Sequence, residues 1–359
     1  MLHFLIEYDC PMKNLTLTIG CYTDTPSKSQ GVYQAQLDLE NGKLLPLDLV
    51  AECTNPSFVV ATKLGIYTAS EIDQPKQPQL IHIPSPNSKT VKNSGTIAGG
   101  HPCHIAIDPH NKFAITSQYS SGTFDIFSLS INGNIDKRLK TIKMVGSGPN
   151  KERQTSPHAH QCLFLQNSPQ FVTVDLGTDR INFYCFDEEQ EEFLDEPMQS
   201  IKVPAGNGPR HLIFNKAEDR AYVICELSES ILMLEKVLGV WNIVEEIDAL
   251  PNMEKGEATA AIKLSPDEQF LYVSCRHQSR ISCFRIEPTT KMPIFIDNYN
   301  TEGNFPRDFH ITDCGRWLIA ANQHSNSITS FKRNSEDGSL VYTGYSLEID
   351  APVCVTQQL

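Results

Sequence analysis

The sequence predicts an all-β protein, a seven-bladed β-propeller, and three observations point to that fold. A β-rich pattern recurs at intervals of 46 to 55 residues along a chain of 359 residues. Within the pattern apolar and polar residues alternate, and no 3.6-residue helical periodicity is visible. The two ends of the chain each carry part of one further repeat, so the ring should be closed by its own termini.

Each repeat reads as strand, tight turn, strand, loop and strand, which is an antiparallel meander. The pattern is clear in "HPCHIAIDPHNKFAITSQYSSGTFDIF" (101–127) and in "GPRHLIFNKAEDRAYVICELSESILML" (208–234). The aspartates and serines of the turns are expected at the opposite end of the blade from the starts of the first strands, where they only make turns.

The first strand of each repeat is expected to begin at a proline or, once, at a threonine. These positions are Pro56, Pro102, Pro157, Pro209, Thr259, Pro306 and Pro352. After the last of them, "PVCVTQQL" (352–359) supplies only one strand, whereas "LTLTIG", "GVYQAQLD" and "LLPLDLV" near the amino terminus supply three. We therefore expect the last blade to combine the N-terminal strands with the C-terminal strand, which leaves no open sheet edge.

We expect one propeller domain over residues 14–359, preceded by a disordered or mis-started extension over residues 1–13. The opening "MLHFLIEYDCP" has a short apolar run, and acidic residues stand where a secretion signal carries lysines. Met12 is therefore the expected biological start. No apolar run approaches the 18 residues of a membrane span.

Charge and cysteine usage limit the partners and the compartment. A net charge of −13 argues against nucleic acid and anionic membranes as partners, since no general positive field would attract phosphates. Eleven cysteines without C-x-x-C spacing indicate reduced, mostly buried thiols in a cytoplasmic protein. An anionic ligand would have to meet a few locally placed arginines. Monomer and dimer both remain open.

Polar residues converge on one mouth of the predicted channel. In an antiparallel meander the start of the first strand and the end of the second lie at the same end of a blade. The residues near the starts are Cys103, His104, His158, His160, Arg210, His211, Arg307 and Asp308, and those at the ends are Glu71, Tyr119, Leu176, Glu226, Arg276 and Gln323. Charged residues concentrated at an axis, instead of solvated at blade edges, indicate a functional site.

Several motifs make the interpretation more specific. The segments "GCYT" (20–23), "HPCHIAIDP" (101–109), "RQTSPHAH" (153–160), "GPRHLIF" (208–214), "ELS" (226–228) and "LYVSCR" (271–276) resemble those of the lactonase-type seven-bladed propellers. That family includes the bacterial propeller-type 6-phosphogluconolactonases and the fungal carboxy-cis,cis-muconate lactonising enzymes. The resemblance spans essentially residues 14–359. Asp308 stands where the family often has histidine, which leaves the exact substrate open.

The resemblance implies hydrolysis of a sugar lactone, first of all 6-phospho-D-glucono-1,5-lactone to 6-phosphogluconate in the pentose phosphate pathway, with no cofactor. It implies a catalytic set of His158 or His160, Arg210, Glu226 and Arg276. A histidine of this set would act as general base and Glu226 would orient water or an arginine. The arginines would hold the lactone carbonyl and the anionic tail of the substrate.

Further residues are expected to bind substrate at the same mouth. Arg153, Arg307 and His104 would extend the anion pocket. Glu71, Tyr119 and Tyr22 would form its wall. The substrate is therefore expected to be a small anionic sugar lactone.

Other interpretations stand beside this one. If His158 and His160 lie on one strand they point the same way, so they could be two metal ligands or merely hydrogen-bonded strand residues. Arg210 and Arg276 could form structural ion pairs with Glu226 or Glu71, which would be compatible with catalysis. The same pocket could instead lactonise a muconate or open a different lactone, and a non-catalytic binding propeller is a third class.

Overall fold

The computed structural model describes residues 13–84, 93–187, 189–190 and 192–358. These residues form seven antiparallel sheets, six with four strands and one with five. The all-β propeller predicted from the sequence is confirmed. The expected extension over residues 1–13, including Met12, lies outside the described residues except for Lys13.

The strands follow one another in the order that the repeats predict. The N-terminal strands are β1 (Asn14–Cys21), β2 (Gly31–Asp38) and β3 (Leu44–Glu52). Blade 1 contains β4 (Pro56–Thr62), β5 (Gly65–Ser70), β6 (Gln79–Ile83) and β7 (Asn93–Thr96). Blade 2 contains β8 (Pro102–Ile107), β9 (Phe113–Gln118), β10 (Thr123–Leu129) and β11 (Ile135–Lys143). Blade 3 contains β12 (Ala159–Phe164), β13 (Gln170–Asp175), β14 (Arg180–Asp187), β15 (Glu192–Phe193) and β16 (Gln199–Lys202).

The remaining blades complete the ring. Blade 4 contains β17 (Pro209–Phe214), β18 (Arg220–Cys225), β19 (Ser230–Val237) and β20 (Val240–Asp248). Blade 5 contains β21 (Thr259–Leu264), β22 (Phe270–Cys275), β23 (Arg280–Ile286) and β24 (Pro293–Asn300). Blade 6 contains β25 (Pro306–Ile311), β26 (Trp317–Asn322), β27 (Ser327–Arg333) and β28 (Leu340–Glu348). In blade 7, β29 (Pro352–Gln357) pairs with β1, and the sheet continues through β2 to β3.

The first strands of the blades lie side by side around the central axis. β4 contacts β8, β8 contacts β12, and the series continues through β17, β21, β25 and β29 back to β4. These inner strands are mostly buried, whereas the outermost strands such as β11 and β20 are mostly exposed. The inner strands therefore bring residues from distant parts of the sequence to one axis.

The hydrophobic core is divided among the blade interfaces. In the described residues each pair of neighbouring sheets encloses one apolar cluster, for example Leu17 and Ile19 of β1 against Trp317 and Ile319 of β26. Such burial of large apolar side chains stabilises a fold by roughly 25 cal/mol for each Å² removed from water. Because every blade is supported on both faces, the mouth residues stand on a rigid scaffold.

A β-bulge interrupts the pairing at the start of every inner strand. In blade 4, Pro209 pairs with Cys225 and His211 pairs with Ile224, so Arg210 is the extra residue. The same shift occurs between Pro306 and Asp308 in blade 6. A bulge re-aims the side chain of its extra residue. Here the seven bulges all lie at the same mouth of the channel.

One predicted strand start is wrong. β12 begins at Ala159, which pairs with Asp175, the last residue of β13. In blade 4 the first residue of the inner strand, Pro209, pairs in the same way with Cys225, the last residue of β18. Pro157 therefore lies two residues before the strand. The physical reason is local, because Asp175 Oδ1 accepts hydrogen bonds from the backbone of His158 and of Gly177, which fixes residue 158 outside the ladder.

The described residues contain two helices, both short 3₁₀ helices, at Gln74–Lys76 and Gln323–Ser325. Neither is long or apolar enough to cross a membrane.

Candidate active site

Two sets of side chains surround the bulged mouth of the channel. The first set consists of the bulge residues; where two residues lie between the paired positions, the first of the two is given. In blades 1 to 7 these are Ser57, Cys103, His160, Arg210, Ala260, Arg307 and Val353. The residues that directly follow the second strands are Glu71, Tyr119, Leu176, Glu226, Arg276, Gln323 and, after β1, Tyr22. The sequence predicted this second set from spacing, apart from Tyr22, which was expected from its motif.

The centre of the mouth is a cluster of three arginines around one carboxylate. Glu226 Oε2 accepts a hydrogen bond from Arg210 Nε at 3.0 Å and forms an ion pair with Arg276, whose Nη2 lies 3.0 Å away. Glu226 Oε1 accepts from Arg153 Nη2 at 2.6 Å. Three positive charges thus face one negative charge, which leaves an excess of cationic charge at this point.

The protonation states of this cluster follow from burial and charge. Burial by itself raises the pKa of Glu226, but Arg276, Arg210 and Arg153 outweigh it and hold the pKa far below its usual range. Burial and the neighbouring Arg276 lower the pKa of Arg210 to about 10. Glu226 is therefore a carboxylate and Arg210 is a cation at neutral pH.

Each arginine has a second anchor. Arg210 Nη1 donates to the Ala260 carbonyl at 2.6 Å, and Arg276 Nε donates to the Ala258 carbonyl at 3.0 Å. Arg153 lies on the loop before β12, and its Nη2 also contacts the Tyr119 hydroxyl at 3.2 Å. The Arg153 side chain is 35% exposed, whereas those of the other two arginines are buried. Arg153 is therefore the most accessible cation of the cluster.

His158 is half-buried beside this cluster. Its ring stacks on Tyr119 with centroids 4.4 Å apart, and its Nδ1 lies 3.0 Å from the Tyr119 carbonyl oxygen. A carbonyl oxygen only accepts, so in the neutral ring Nδ1 carries the proton and Nε2 carries the lone pair. The contact thus orients the imidazole as a hydrogen-bond acceptor at Nε2.

His160 has a different environment, and the two histidines do not lie on the same strand. His158 precedes β12, while His160 is the bulge residue of that strand and is buried. Its Nδ1 lies 3.9 Å from the Cys103 sulfur. Burial, and then the charge of Arg210, lowers the pKa of His160 well below its usual range.

His104 and His211 lie at the next inner-strand positions and continue this row of rings. The His211 ring centroid is 5.2 Å from that of His160 and 5.3 Å from that of His104. His104 is 3% exposed and packs on Phe58. Burial followed by nearby cations lowers the pKa of both histidines. His104, expected to bind substrate, is thus part of the buried wall.

A second charged group faces the mouth from blades 1, 6 and 7. The Tyr22 hydroxyl donates to Glu71 Oε2 at 2.9 Å, and Arg307 Nη2 lies 4.0 Å from the same oxygen. The Arg307 guanidinium also lies over the Tyr22 ring, 5.3 Å from its centroid. Arg210 and Arg276 thus form the ion pairs that the sequence allowed, with Glu226 as their partner. Glu71 pairs with Arg307 instead.

A cavity of about 630 Å³ opens on the side of Tyr22 and Glu71. Asp24, Asn55 and His324 also line it. Its lining includes neither Glu226 nor the arginines that pair with it, because these close on one another through their own ion pairs. The cavity therefore lies beside the ion-paired cluster and not at its centre.

The structure thus brings together Arg153, Arg210, Glu226 and Arg276 in direct contact, with His158 linked to them through Tyr119. Tyr22, Glu71 and Arg307 form the neighbouring group. Phe305 and His324, which the sequence reasoning missed, stack on each other at the rim with centroids 3.9 Å apart. Phe305 directly precedes Pro306 and His324 follows Gln323, so their positions repeat from blade to blade but their aromatic side chains do not.

The described residues contain no group of three or more His, Cys, Asp or Glu side chains placed to hold a metal ion. His158 and His160, the pair considered as ligands, differ in both backbone position and surroundings.

The fold and the site together define a propeller with a cationic, carboxylate-centred mouth. The family model described as "Lactonase, 7-bladed beta-propeller" matches residues 16–357. The chain therefore belongs to this lactonase family.

Relatives with stated functions cover nearly the whole chain. It is 30% identical to a 6-phosphogluconolactonase of Bacillus subtilis over 94% of this chain and 96% of the relative. It is 28% identical to a 6-phosphogluconolactonase of Formosa agariphila over 90% and 93% of the two chains. A crystal structure of a candidate 6-phosphogluconolactonase from Bacteroides fragilis superposes with a TM-score of 0.88 at 28% identity and covers 97% of this chain and 99% of the other.

Proposed function

We propose that this chain hydrolyses 6-phospho-D-glucono-1,5-lactone to 6-phosphogluconate. Membership of the lactonase family supports a lactone substrate, and the names of the Bacillus and Formosa relatives support the phosphorylated one. The observation that carries the proposal is the cluster in which one carboxylate, Glu226, is shared by Arg153, Arg210 and Arg276. Its excess positive charge suits both an anionic substrate and a developing oxyanion.

His158 is the general base in this proposal. Its Nδ1 is engaged with the Tyr119 carbonyl, so Nε2 can take a proton from water. His160 is the poorer base, because its lowered pKa means weak proton affinity. The water oxygen attacks the lactone carbonyl carbon as its proton moves to His158.

Arg210 and Arg276 stabilise the negative charge that then develops on the carbonyl oxygen. Glu226 holds both guanidiniums and does not itself take a proton, since its pKa lies far below neutrality. When the intermediate collapses, the bond between the carbonyl carbon and the ring oxygen breaks. The proton on His158 passes to that ring oxygen, which becomes a hydroxyl, and the base is restored.

The phosphate of the substrate is assigned to Arg153, whose side chain is the most exposed of the cluster, with Arg307 as the second cation. The cavity beside Tyr22 and Glu71 would receive the hydroxyl-bearing part of the sugar, because carboxylates and amides accept and donate hydrogen bonds to hydroxyls. The proposal places the reaction in the cytoplasm, in the oxidative pentose phosphate route, without a metal or other cofactor.

Lactonisation of a muconate is the second candidate, because a carboxylate would suit the same arginines. A coupled assay separates the two. Release of 6-phosphogluconate above the spontaneous rate, with no turnover of carboxymuconate, is the expected result. Turnover of the muconate alone would favour the second candidate, and a chain inactive on both and on unphosphorylated glucono-1,5-lactone would fit a binding propeller.

A further inference from the structure

Phe305 has an unusual backbone conformation at the rim of the mouth. Its φ is 65°, in the left-handed region, where a bulky side chain is strained. It directly precedes Pro306, the first residue of an inner strand. Residues at the same position in four other blades also have positive φ, and these are Asn55, His101, Gly208 and Ala351.

The fold demands this conformation, but it does not demand phenylalanine. Glycine takes it without strain, as at Gly208, and asparagine tolerates it better than other residues, as at Asn55. A large aromatic side chain is the least suited of the five residues. Strained residues of this kind cluster at functional sites, where the surrounding contacts hold them.

The contacts of the Phe305 ring point to what it does. The guanidinium carbon of Arg276 lies over the ring, 5.2 Å from its centroid. The ring of His324 stacks on Phe305 at 3.9 Å with an interplanar angle of 17°. Arg276 Nη2 is the group that reaches Glu226. The Phe305 ring therefore packs against the Arg276 guanidinium, whose nitrogens contact the Ala258 carbonyl and Glu226.

The backbone of Phe305 is itself fixed on both sides. Its carbonyl accepts from the Gln323 backbone amide at 3.0 Å, and its own amide lies 3.3 Å from the Ser279 hydroxyl oxygen, which accepts from it. These bonds hold the Phe305 backbone in place, and the stack with His324 packs its ring against Arg276. A support with this rigidity can determine the plane of the guanidinium.

We propose that Phe305 is a positioning residue that, braced by His324, holds the plane of the Arg276 guanidinium toward Glu226 and the reacting carbonyl oxygen. Its catalytic consequence rests on the proposed function, whereas the support of Arg276 does not. Phe305 touches no reacting atom in this account and acts only through Arg276.

The first test needs no substrate. In ¹H–¹⁵N spectra of arginine side chains, the Arg276 Nε–H resonance, identified by its loss in Arg276→Lys, is expected to carry a ring-current shift. Phe305→Tyr should keep the shift and Phe305→Asn should lose it. An Arg276 resonance that is identical in wild type and Phe305→Asn would overturn the proposal.

The second test is kinetic and uses a double-mutant cycle. Phe305→Asn keeps the backbone conformation and is expected to lower kcat about 10-fold with little change in KM. Phe305→Tyr keeps the aromatic ring and should retain the wild-type kcat. In the Arg276→Lys background Phe305→Asn should have no further effect. Leu238→Asn, at a fully exposed turn residue of blade 4 that also has a positive φ of 50°, is the control and should leave kcat unchanged.

The two arms separate failure of this proposal from failure of the proposed function. Equal losses of kcat in both backgrounds would show that Phe305 is merely structural. A wild-type protein without lactonase activity whose Arg276 resonance still shifts with Phe305 would contradict the proposed function and leave the positioning role standing.

Discussion

Arg210 Nε and Glu226 Oε2 lie 3.0 Å apart, and both side chains are buried at the mouth of the channel. The two residues belong to the same blade, Arg210 as the bulge residue of β17 and Glu226 as the residue after β18. Arg276 joins them from blade 5 and Arg153 from the loop before β12. One carboxylate thus connects three parts of the sequence, and the predictions below follow from this arrangement.

Glu226→Gln should destabilise the protein as well as inactivate it. The change leaves Arg210 and Arg276 buried without a counter-charge, which costs about 3–5 kcal/mol in comparable buried pairs. Urea unfolding at pH 7.5 measures the free energy of unfolding. Glu235→Gln, which removes one of the two acidic partners of Arg220, is the matched control and should cost less than about 1 kcal/mol. A loss below 1 kcal/mol for Glu226→Gln would show that the cluster is not a buried ion-pair network.

The two histidines should differ in their effect on lactone hydrolysis. His158→Gln is expected to lower kcat about 10²-fold, the usual worth of a general base, because it removes the oriented Nε2. His160→Gln should lower kcat less than about 10-fold, since that buried ring has a strongly lowered pKa and is a weak base. His110→Gln in an exposed turn serves as the control. A larger loss for His160→Gln would reverse the assignment, and full activity in both variants would remove the histidine base from the mechanism.

Stability should fall as the pH falls below about 6.5, the ordinary pKa of histidine in an unfolded chain. Burial lowers the folded-state pKa of His104, His160 and His211, so below pH 6.5 the unfolded chain binds protons that the folded protein does not. Their contribution is complete above the unfolded pKa. It declines by up to about 1.4 kcal/mol per pH unit for each histidine as the pH falls toward the folded values.

Urea midpoints at pH 7.5 and pH 5.5 measure this effect. The difference between the two midpoints should be larger for wild type than for His104→Phe, because the variant lacks one of the three buried histidines. The phenylalanine keeps an aromatic ring beside Phe58. Replacement of exposed His110 by Gln should leave the difference unchanged. Equal wild-type stability at the two pH values would contradict neutral, buried histidines.

Chelation should not affect lactone hydrolysis. The mouth carries Arg153, Arg210 and Arg276 around a single carboxylate, and this excess of positive charge would repel a cation. The rate before and after extensive dialysis against EDTA, with and without added Zn²⁺ or Mg²⁺, measures the effect. Loss of activity on dialysis with recovery on adding metal would require a metal ligand set that this account lacks.

Much of the fold could be predicted from the sequence because propeller blades repeat. The alternation and spacing of the strands determine where inner strands begin and which residues follow second strands, so Glu71, Glu226 and Arg276 could be assigned to one mouth. The exception was blade 3, where side-chain hydrogen bonds of Asp175 move the strand start from Pro157 to Ala159. Such local bonds leave no trace in a hydrophobic pattern.

The detailed partners in the site could not be predicted in the same way. Arg153 lies on a loop, and the path of a loop follows no period, so its contact with Glu226 appears only in the structure. The different surroundings of His158 and His160 depend on a β-bulge, which sequence spacing does not reveal. Phe305 was missed because its positive φ and its contact with Arg276 are conformational facts, although the position before a proline is visible in the sequence.

In the proposed reaction, the arginines paired with Glu226 stabilise the transition state of lactone hydrolysis. The most direct measurement compares 6-phosphogluconate formation by wild type, Arg210→Met and Arg276→Met, with Arg220→Met on the blade surface as the control. We expect a wild-type rate above the spontaneous one, a loss of about 10²- to 10³-fold in each of the first two variants, and no loss in the control. Wild-type rates in folded Arg210→Met and Arg276→Met would contradict it.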